Sequence, residues 1–434
     1  ERLSRMSFNE KIRLLMVGWW FYPETSAGAN RLMDVIKYMD VKKFDIYVLT
    51  RKTSDTPYKS VLRIKSSLGT KLVRIYRVPG ISFLSWLNPF AFIGFFLSTL
   101  VLLKIKKINI VLTTIPEPEN VFGASLAINI LKKPYIVDIR DLWENARIDF
   151  IESKHFPLRH KGIKEILKCY NILLKKIFIV TYRKSKALIV VTSEMAKIAK
   201  QRKLNKRIIV IPNAADTEIF KPLSEKEKRS LRKKYGINEN EIVVLFQGHL
   251  NPEYRLDQFI IALKKLVLMG QNNVSLLILG KAPDWSEGKR ILDYVTRKLG
   301  LEKKVRYLGY FRDRKKVAEI VGMADIGIIP MDISPLWRYR VPLKFYEYMA
   351  CGIPVIAFCS RESELCKVIE KYKCGYTVTE SKKVVTALVN VLLRIIGNKE
   401  EINRLSKNAI KVSHVFNRKI TTKLFERVIK ALIS

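Results

Sequence analysis

Residues 341–357 read VPLKFYEYMACGIPVIA, and these residue types in this order suit the capture of a phosphorylated ligand. Pro342 fits the first position of a helix, and Gly352 fits the position just past its last turn. The N-terminus of such a helix offers free N–H groups and the positive end of the macrodipole at Pro342, Leu343 and Lys344, where a phosphate is favoured. Lys344 adds a cation beside it. Glu347, about one turn further in, can accept hydrogen bonds from vicinal hydroxyls such as those of a ribose. Cys351 reads as a small core residue rather than a nucleophile.

Other chemistry-bearing residues are dispersed along the chain. Asp138, Arg140 and Asp141 sit in DIRDLW (138–143) at the end of an apolar run, and Asp141 reads either as a ligand-facing carboxylate or as the N-cap of the next segment. Glu117 and Glu119 occupy the loop PEPEN (116–120) after another run and are acceptor-side candidates. Gly28 ends the turn-rich FYPETSAG (21–28), and GHLNPEYRLD (248–257) carries Gly248, His249 and Arg255. No Asp-x-Asp occurs, and the four histidines are scattered, so a metal site is not expected. Five cysteines without a CxxC fit a reducing compartment better than a disulfide framework.

The elements that must position these residues alternate. Apolar runs at 12–20, 44–49, 73–78, 108–113, 135–138, 187–192 and 208–211 read as strands, with helical patterns between most of them. The alternation restarts at 242–247, 275–279, 305–308, 325–329 and 355–357. This is the signature of parallel sheets covered on both faces. A chain of 434 residues, 48% hydrophobic and 28% charged, then divides into two Rossmann-like doubly wound domains. The expected division is 1–205, 206–399 and a helical segment 400–434 crossing back to the first domain. Ligands are expected at the carboxyl ends of the strands, in a cleft between the two sheets. The first 14 residues are polar and basic, without the apolar core of a signal peptide.

Charge points to polyanions. Lys and Arg number 80 against 40 Asp and Glu, a formal net charge of +40. Residues 78–103 hold no charge at all. Spanning a bilayer is rejected, because the strands flanking this window must join one sheet. A buried helix and a helix whose outer face enters the membrane interface both stay open. The stretch 154–186 tilts the choice, with ten Lys and Arg against Glu165 alone and Ile163, Ile166, Leu167, Tyr170, Leu173, Leu174 and Ile177 between them at helical spacing. Such a pattern suits anionic headgroups.

The 341–357 string resembles the Pro-Leu-x-x-x-Glu-x-Met-Ala-x-Gly-x-Pro-Val segment of the retaining GT-B glycosyltransferases of family 4. FYPETSAG is similar to that family's N-terminal glycine loop, and DIRDLW to a strand end in members serving surface polysaccharides. VIPNAAD (210–216), VRYLGYF (305–311) and ADIGIIP (324–330) resemble its interdomain and donor-lobe segments, so the likeness runs over about 11–430. Tyr339, His249 and Tyr254 stand where the family often has Glu and two diphosphate-holding cations, a role left here to Arg255 and Lys344 with Arg338 and Arg340.

The resemblance implies a GT-B α/β fold and transfer of a hexose from a UDP- or GDP-sugar, with retention and no enzyme nucleophile. Asp141, Arg255 and Lys344 would be catalytic. Gly28, Gly248, His249, Pro342, Leu343 and Glu347 would bind the donor, and Glu117, Glu119, Asp138 and Arg140 would face the acceptor. No cofactor beyond the nucleotide sugar is implied. Expected partners are a lipid-linked or glycan acceptor and an anionic membrane, with the protein peripheral on the cytoplasmic face. A sugar-phosphate synthase on the same fold remains an alternative. Nucleic acid is disfavoured, since no aromatic-basic interleaving appears.

Overall fold

The computed structural model describes residues 10–53, 56–79, 89–115, 118–141, 161–250, 254–281, 292, 296–331, 337–379 and 383–433. The chain forms two compact units: Glu1–Pro212 with Thr421–Ser434, and Asn213–Ile420.

In unit 1 the strands are β1 (Ile12–Val17), β2 (Phe44–Arg51), β3 (Lys59–Ser66), β4 (Gly69–Val78), β5 (Ile110–Ile115), β6 (Tyr135–Ile139), β7 (Ala187–Val190) and β8 (Ile208–Val210). They lie in the order β3-β4-β2-β1-β5-β6-β7-β8, all parallel except β3. The helices are α1 (Ala27–Tyr38), α2 (Pro89–Ile105), α3 (Pro118–Ile130), α4 (Lys161–Lys184) and α5 (Ser193–Gln201), and α13 (Arg418–Ile433) returns to this unit from Thr421 onward. From β1 the chain steps one way through α1 to β2. Through α2, α3 and α4 it steps the other way, to β5, β6 and β7. Right-handed crossovers therefore put α2, α3 and α4 on one face. On the opposite face Phe425 and Ile429 of α13 share a core with Leu32, Val35 and Ile36 of α1.

The helical face is closely packed. A Cβ at Gly123 of α3 would lie 2.4 Å from the Phe92 carbonyl oxygen, so the missing side chain is what lets α3 lie on the α2 backbone. Phe122 of α3 stacks on Phe178 of α4 at 5.2 Å. Helix α2 is the charge-free window made visible from Pro89 on, and 80–88 lie outside the described residues. Among the described residues no helix is long and apolar enough to cross a membrane.

Unit 2 carries β9 (Ile242–Gln247), β10 (Val274–Leu279), β11 (Val305–Gly309), β12 (Ile326–Pro330), β13 (Val355–Phe358) and β14 (Gly375–Val378). Their order is β11-β10-β9-β12-β13-β14, parallel throughout. Its helices are α6 (Glu225–Lys234), α7 (Leu256–Leu268), α8 (Arg314–Gly322), α9 (Leu343–Ala350), α10 (Glu364–Tyr372), α11 (Val384–Ile395) and α12 (Lys399–Val415). Strand order reverses between β1 and β5 in unit 1 and between β9 and β12 in unit 2, the switch points where such sheets bind ligands.

Three sequence expectations need correction. The 205/206 division falls too early, because β8 pairs with β7 and extends the first sheet. The closing segment 400–434 is not one body: α12 packs on α9 in unit 2, while α13 serves unit 1 from Thr421. The run 12–20 is strand only to Val17, so Trp19 and Trp20 stand beyond the sheet edge. Strands β3 and β14 were not anticipated. The first is a charged edge hairpin turning at Gly69, where φ is 103°, and the second is only four residues long.

Candidate functional site

In unit 2 the candidate residues gather at the carboxyl end of β9. Helix α9 begins one residue later than expected: Pro342 has ψ 150°, so it takes the N-cap position and Leu343 is the first helical residue. No side chain caps this end, while Gly352, at φ 72°, closes the other. The helix is fixed on the sheet by Tyr348, whose hydroxyl donates to the Leu245 carbonyl at 3.2 Å. Gly327 of β12 makes room for that ring, since a Cβ there would lie 2.5 Å from it.

Two charged side chains of α9 are buried by this docking. Glu347, 4% exposed, accepts a 2.7 Å hydrogen bond from Gln247 Nε2 at the end of β9. Gln247 was missed in the sequence, although a polar residue closing an apolar strand just before Gly248 is the signal that could have found it. Lys344 is 8% exposed, and its Nζ has no hydrogen-bond partner among the described residues. The amine lies 4.7 Å from the Phe246 ring centroid and 4.4 Å from that of Tyr254. Burial lowers its pKa to about 7, against the opposing pull of the Glu347 carboxylate. Cation–π contact offsets only part of the lost hydration.

Glycines bring the backbone close to this amine. Gly248 has φ 147°, and a Cβ on it would stand 2.7 Å from Lys344 Nζ. Gly280, at φ 157°, packs so tightly that a Cβ would fall 1.6 Å from the Gly248 carbonyl oxygen. His249 follows, its pKa lowered by burial and by the neighbouring Lys344 and Lys281. Arg255 takes the N-cap position of α7 in the left-handed conformation (φ 48°), with its guanidinium 5.8 Å from the Phe358 ring centroid at the end of β13. The group thus offers an uncapped helix N-terminus, a buried amine and a held carboxylate, which can together grip a phosphorylated, hydroxyl-bearing ligand.

In unit 1 the structure separates residues that the sequence grouped. Asp138 is committed to the fold: both its oxygens accept from Arg31, at 2.9 and 3.0 Å, with the two side chains 2% and 1% exposed. Arg31 also donates to the Ile211 and Pro212 carbonyls and lies over Phe425, tying β6, α1, the end of β8 and α13 together. The acceptor-side reading of Asp138 is therefore replaced by a structural one. Arg140 is placed differently. Its Nε donates to the Ile115 carbonyl at 2.7 Å, and its guanidinium fills the space beside Gly28, 2.0 Å from where a Cβ would be. Gly28 lies in the first turn of α1, which Ser26 caps, rather than in the preceding loop. Helix N-terminus and guanidinium together favour an anion there.

Asp141 follows β6 and is half-buried, and the stretch it would cap, 142–150, lies outside the described residues. Glu117 also lies outside them, as does the side chain of Glu119.

A further cluster at this sheet edge escaped the sequence reading. Arg51, at the end of β2, lies 3.9 Å from the Trp20 ring centroid and 5.5 Å from that of Trp19, and pairs with Glu24 at 2.6 Å. Burial raises the Glu24 pKa although Arg51 pulls it down. Trp19 stacks on Phe95 of α2 at 6.0 Å. Flat aromatic faces beside a carboxylate and a guanidinium suit a sugar ring and its hydroxyls.

Two family descriptions match the chain: "Glycosyltransferase Family 4" over residues 28–219, and "Glycosyl transferases group 1" over residues 227–412. N-acetyl-alpha-D-glucosaminyl L-malate synthase of Bacillus anthracis is 27% identical over 174 residues, 40% of this chain but only 41% of that protein. Among solved structures, sucrose-phosphate synthase from Thermosynechococcus elongatus is similar with a TM-score of 0.74 at 16% identity, over 97% of this chain and 99% of that one. HepE from Anabaena, solved in complex with UDP-glucose, is similar with a TM-score of 0.67 at 16% identity, over 97% of this chain and 100% of that one.

Proposed function

This chain belongs to the family 4 glycosyltransferases and has the GT-B fold, and from that premise we propose that it moves a hexose from a nucleotide sugar to a lipid-linked or surface-glycan acceptor at a membrane face. Unit 2 takes the donor. The observation that carries this reading is the pairing of Glu347, held by Gln247 for the ribose, with Lys344 in the uncapped first turn of α9, whose buried amine has no hydrogen-bond partner among the described residues, for the diphosphate. Lys344 and Arg255 stabilise charge as it develops on the leaving diphosphate, a term that is large because the groups are held in place beforehand. The anomeric configuration is retained. With no Asp-x-Asp in the sequence, these cations take the part of a metal.

Unit 1 takes the acceptor and meets the membrane. Helix α2 exposes Ile93, Leu97, Val101 and Ile105 at 49, 52, 50 and 65%, a stripe at four-residue spacing. The neighbouring α3 exposes Leu126 and Ile130, and α4 exposes Ile166, Leu173, Ile177 and Val180. Of the seven apolar residues at helical spacing from Ile163 to Ile177, only Leu167 and Leu174 are buried. Lys164, Lys168, Lys175 and Lys176 share α4 with this outward set, the composition of an interfacial helix. Residues 154–160 of the basic stretch lie outside the described residues.

The test is a panel of UDP- and GDP-sugars with and without lipid extract, read by released nucleotide in the presence of a chelator. One donor should be consumed, and only with extract present. Glu347→Ala should lower that turnover about ten- to hundredfold through the lost charged hydrogen bond. Release within twofold of wild type in that variant would overturn the donor assignment. Replacing Lys164, Lys168, Lys175 and Lys176 with Glu should abolish sedimentation with anionic vesicles at low salt, and unchanged sedimentation would remove the membrane from the proposal.

A further inference from the structure

At the amino ends of β1 and β5, the edge of unit 1 opposite Trp20, Gly28 and Arg140, a pocket of about 610 Å³ opens where α2 and α3 end. Arg13, Lys104, Lys107 and Lys133 line it, with Leu103 as an apolar wall and Glu10 as the one acidic side chain among its lining residues. Glu10 lies 3.4 Å from Arg13. The side chains of Lys104, Lys107 and Lys133 have no hydrogen-bond or ion-pair partner among the described residues. Lys107 itself is left-handed (φ 47°), as is Lys132 (φ 51°) just before Lys133, so the chain turns sharply after each helix and brings these cations around one hollow. Cations at helix C-termini are locally favourable, but three unpaired lysines exceed the partial negative charge of two helix ends. Converging like charges on a concave surface are costly unless an anion joins them.

We propose that this pocket binds the phosphate headgroup of an anionic lipid, with preference for an exposed phosphomonoester. The proposal rests on the membrane reading above, and continuity with that face selects a lipid. Val101 and Ile105 of the α2 stripe and Ile130 of α3 are exposed on the last turns of the helices that lead into the pocket. Acyl chains against the stripe put a headgroup beside Lys104 and Lys133, away from the strand ends where transfer is assigned. The site holds the protein on the bilayer and takes no part in the chemistry. A phosphomonoester carries up to two charges and three acceptor oxygens, and so uses several lysines at once, whereas a phosphodiester offers less.

The full chain is sedimented with phosphatidylcholine vesicles containing either phosphatidic acid or phosphatidylglycerol, adjusted to equal surface potential. Wild type should bind the phosphatidic acid vesicles at least about fivefold more tightly, the worth of one well-placed charge. The variant Lys104→Gln/Lys107→Gln/Lys133→Gln should lose that preference. The variant Lys164→Gln/Lys175→Gln/Lys176→Gln should weaken binding to both compositions alike. Thermal melts check that each variant stays folded. Equal wild-type binding to both vesicles, or a preference kept by the pocket variant, overturns the headgroup site while leaving the membrane reading intact. No vesicle binding at all overturns both. Calorimetric binding of inorganic pyrophosphate that depends on the three lysines, without any vesicle preference, reassigns the pocket to a soluble polyphosphate and also overturns the lipid.

Discussion

The proposed role of Lys344 would link pH to donor binding measurably. Burial holds its pKa at about 7, so the free protein carries the amine mostly neutral at pH 8, where about a tenth is protonated. A diphosphate placed against Nζ favours the ammonium form and should raise the pKa above roughly 9. Binding at pH 8 should then take up about 0.8 proton or more, and affinity should fall by at least about fivefold per pH unit between about 7.5 and 8.5. Neither neighbouring titration interferes. The terminal phosphate of a nucleotide titrates near pH 6, and His249 is held below its usual range by burial and by Lys344 itself. Calorimetry of UDP and GDP in two buffers of different ionisation enthalpy reads the uptake directly. Lys344→Met should abolish both the uptake and the slope. The same shift has a stability consequence whose sign is opposite to that of an ordinary ion pair. Between pH 7 and about 10.4 the unfolded chain holds a proton that the folded one lacks, so the stability of the free protein rises with pH through this window. Below pH 7 the penalty is complete, and Lys344→Met should be the more stable protein by up to roughly 5 kcal/mol, an advantage that fades toward pH 10.4. Proton uptake near zero in wild type at pH 8, or an unchanged slope in the variant, would refute the assignment of this amine to the diphosphate.

Three further outcomes follow from unit 1. Asp138→Ala takes the paired carboxylate away from the buried Arg31 guanidinium, which should cost about 3–5 kcal/mol in denaturant melts; a variant that melts like wild type yet loses acceptor binding would restore the acceptor role. Gly28→Ala puts a methyl where the Arg140 guanidinium now lies; since only a side-chain tip must move, stability should change by less than about 1 kcal/mol while turnover falls severalfold, and wild-type turnover would dissociate Arg140 from the site. Trp20→Ala, which uncovers Arg51, should raise the acceptor KM about tenfold with donor hydrolysis unchanged; an effect on donor KM instead would move the cluster out of the acceptor site.

Periodic signals carried the fold well, while chemistry at strand ends was legible only where a helix followed. Apolar runs placed β1, β2, β5 and β9 within a few residues, because strands buried on both faces cannot be polar. Edge strand β3 was missed for the converse reason: KSVLRIKS is half exposed, and its charges look like a loop. Glu347 and Lys344 were readable because Pro342 and Gly352 bracket a helix. The rings that enclose the Lys344 amine were not, since Phe246 and Tyr254 lie some 90 to 98 residues before it in the sequence. Asp138 shows the opposite failure. A carboxylate at a strand end reads the same whether it faces a ligand or a buried Arg31, 107 residues away, and only packing decides.

Helix α2 marks the limit of what periodicity can say. Its sequence, PFAFIGFFLSTLVLLKI, is apolar all round, and a helix without a polar face does not declare which side looks outward. The sheet decides. Ala91, Phe95, Thr99 and Leu102 are buried, and Gly123 lets α3 cover a second side, which leaves Ile93, Leu97, Val101 and Ile105 without cover. Each is about half exposed and forgoes roughly 1 kcal/mol of burial, so the four together leave on the order of 4 kcal/mol unclaimed by folding. The buried half of each side chain contributes to folding, but the exposed half does not, so the fold alone does not account for so large an apolar outer stripe. The proposed bilayer of acidic lipids is both oily and anionic, and so would suit this stripe together with the cations of α4. Serine at all four positions should weaken vesicle binding, and untouched binding would show that the α2 stripe does not meet the bilayer.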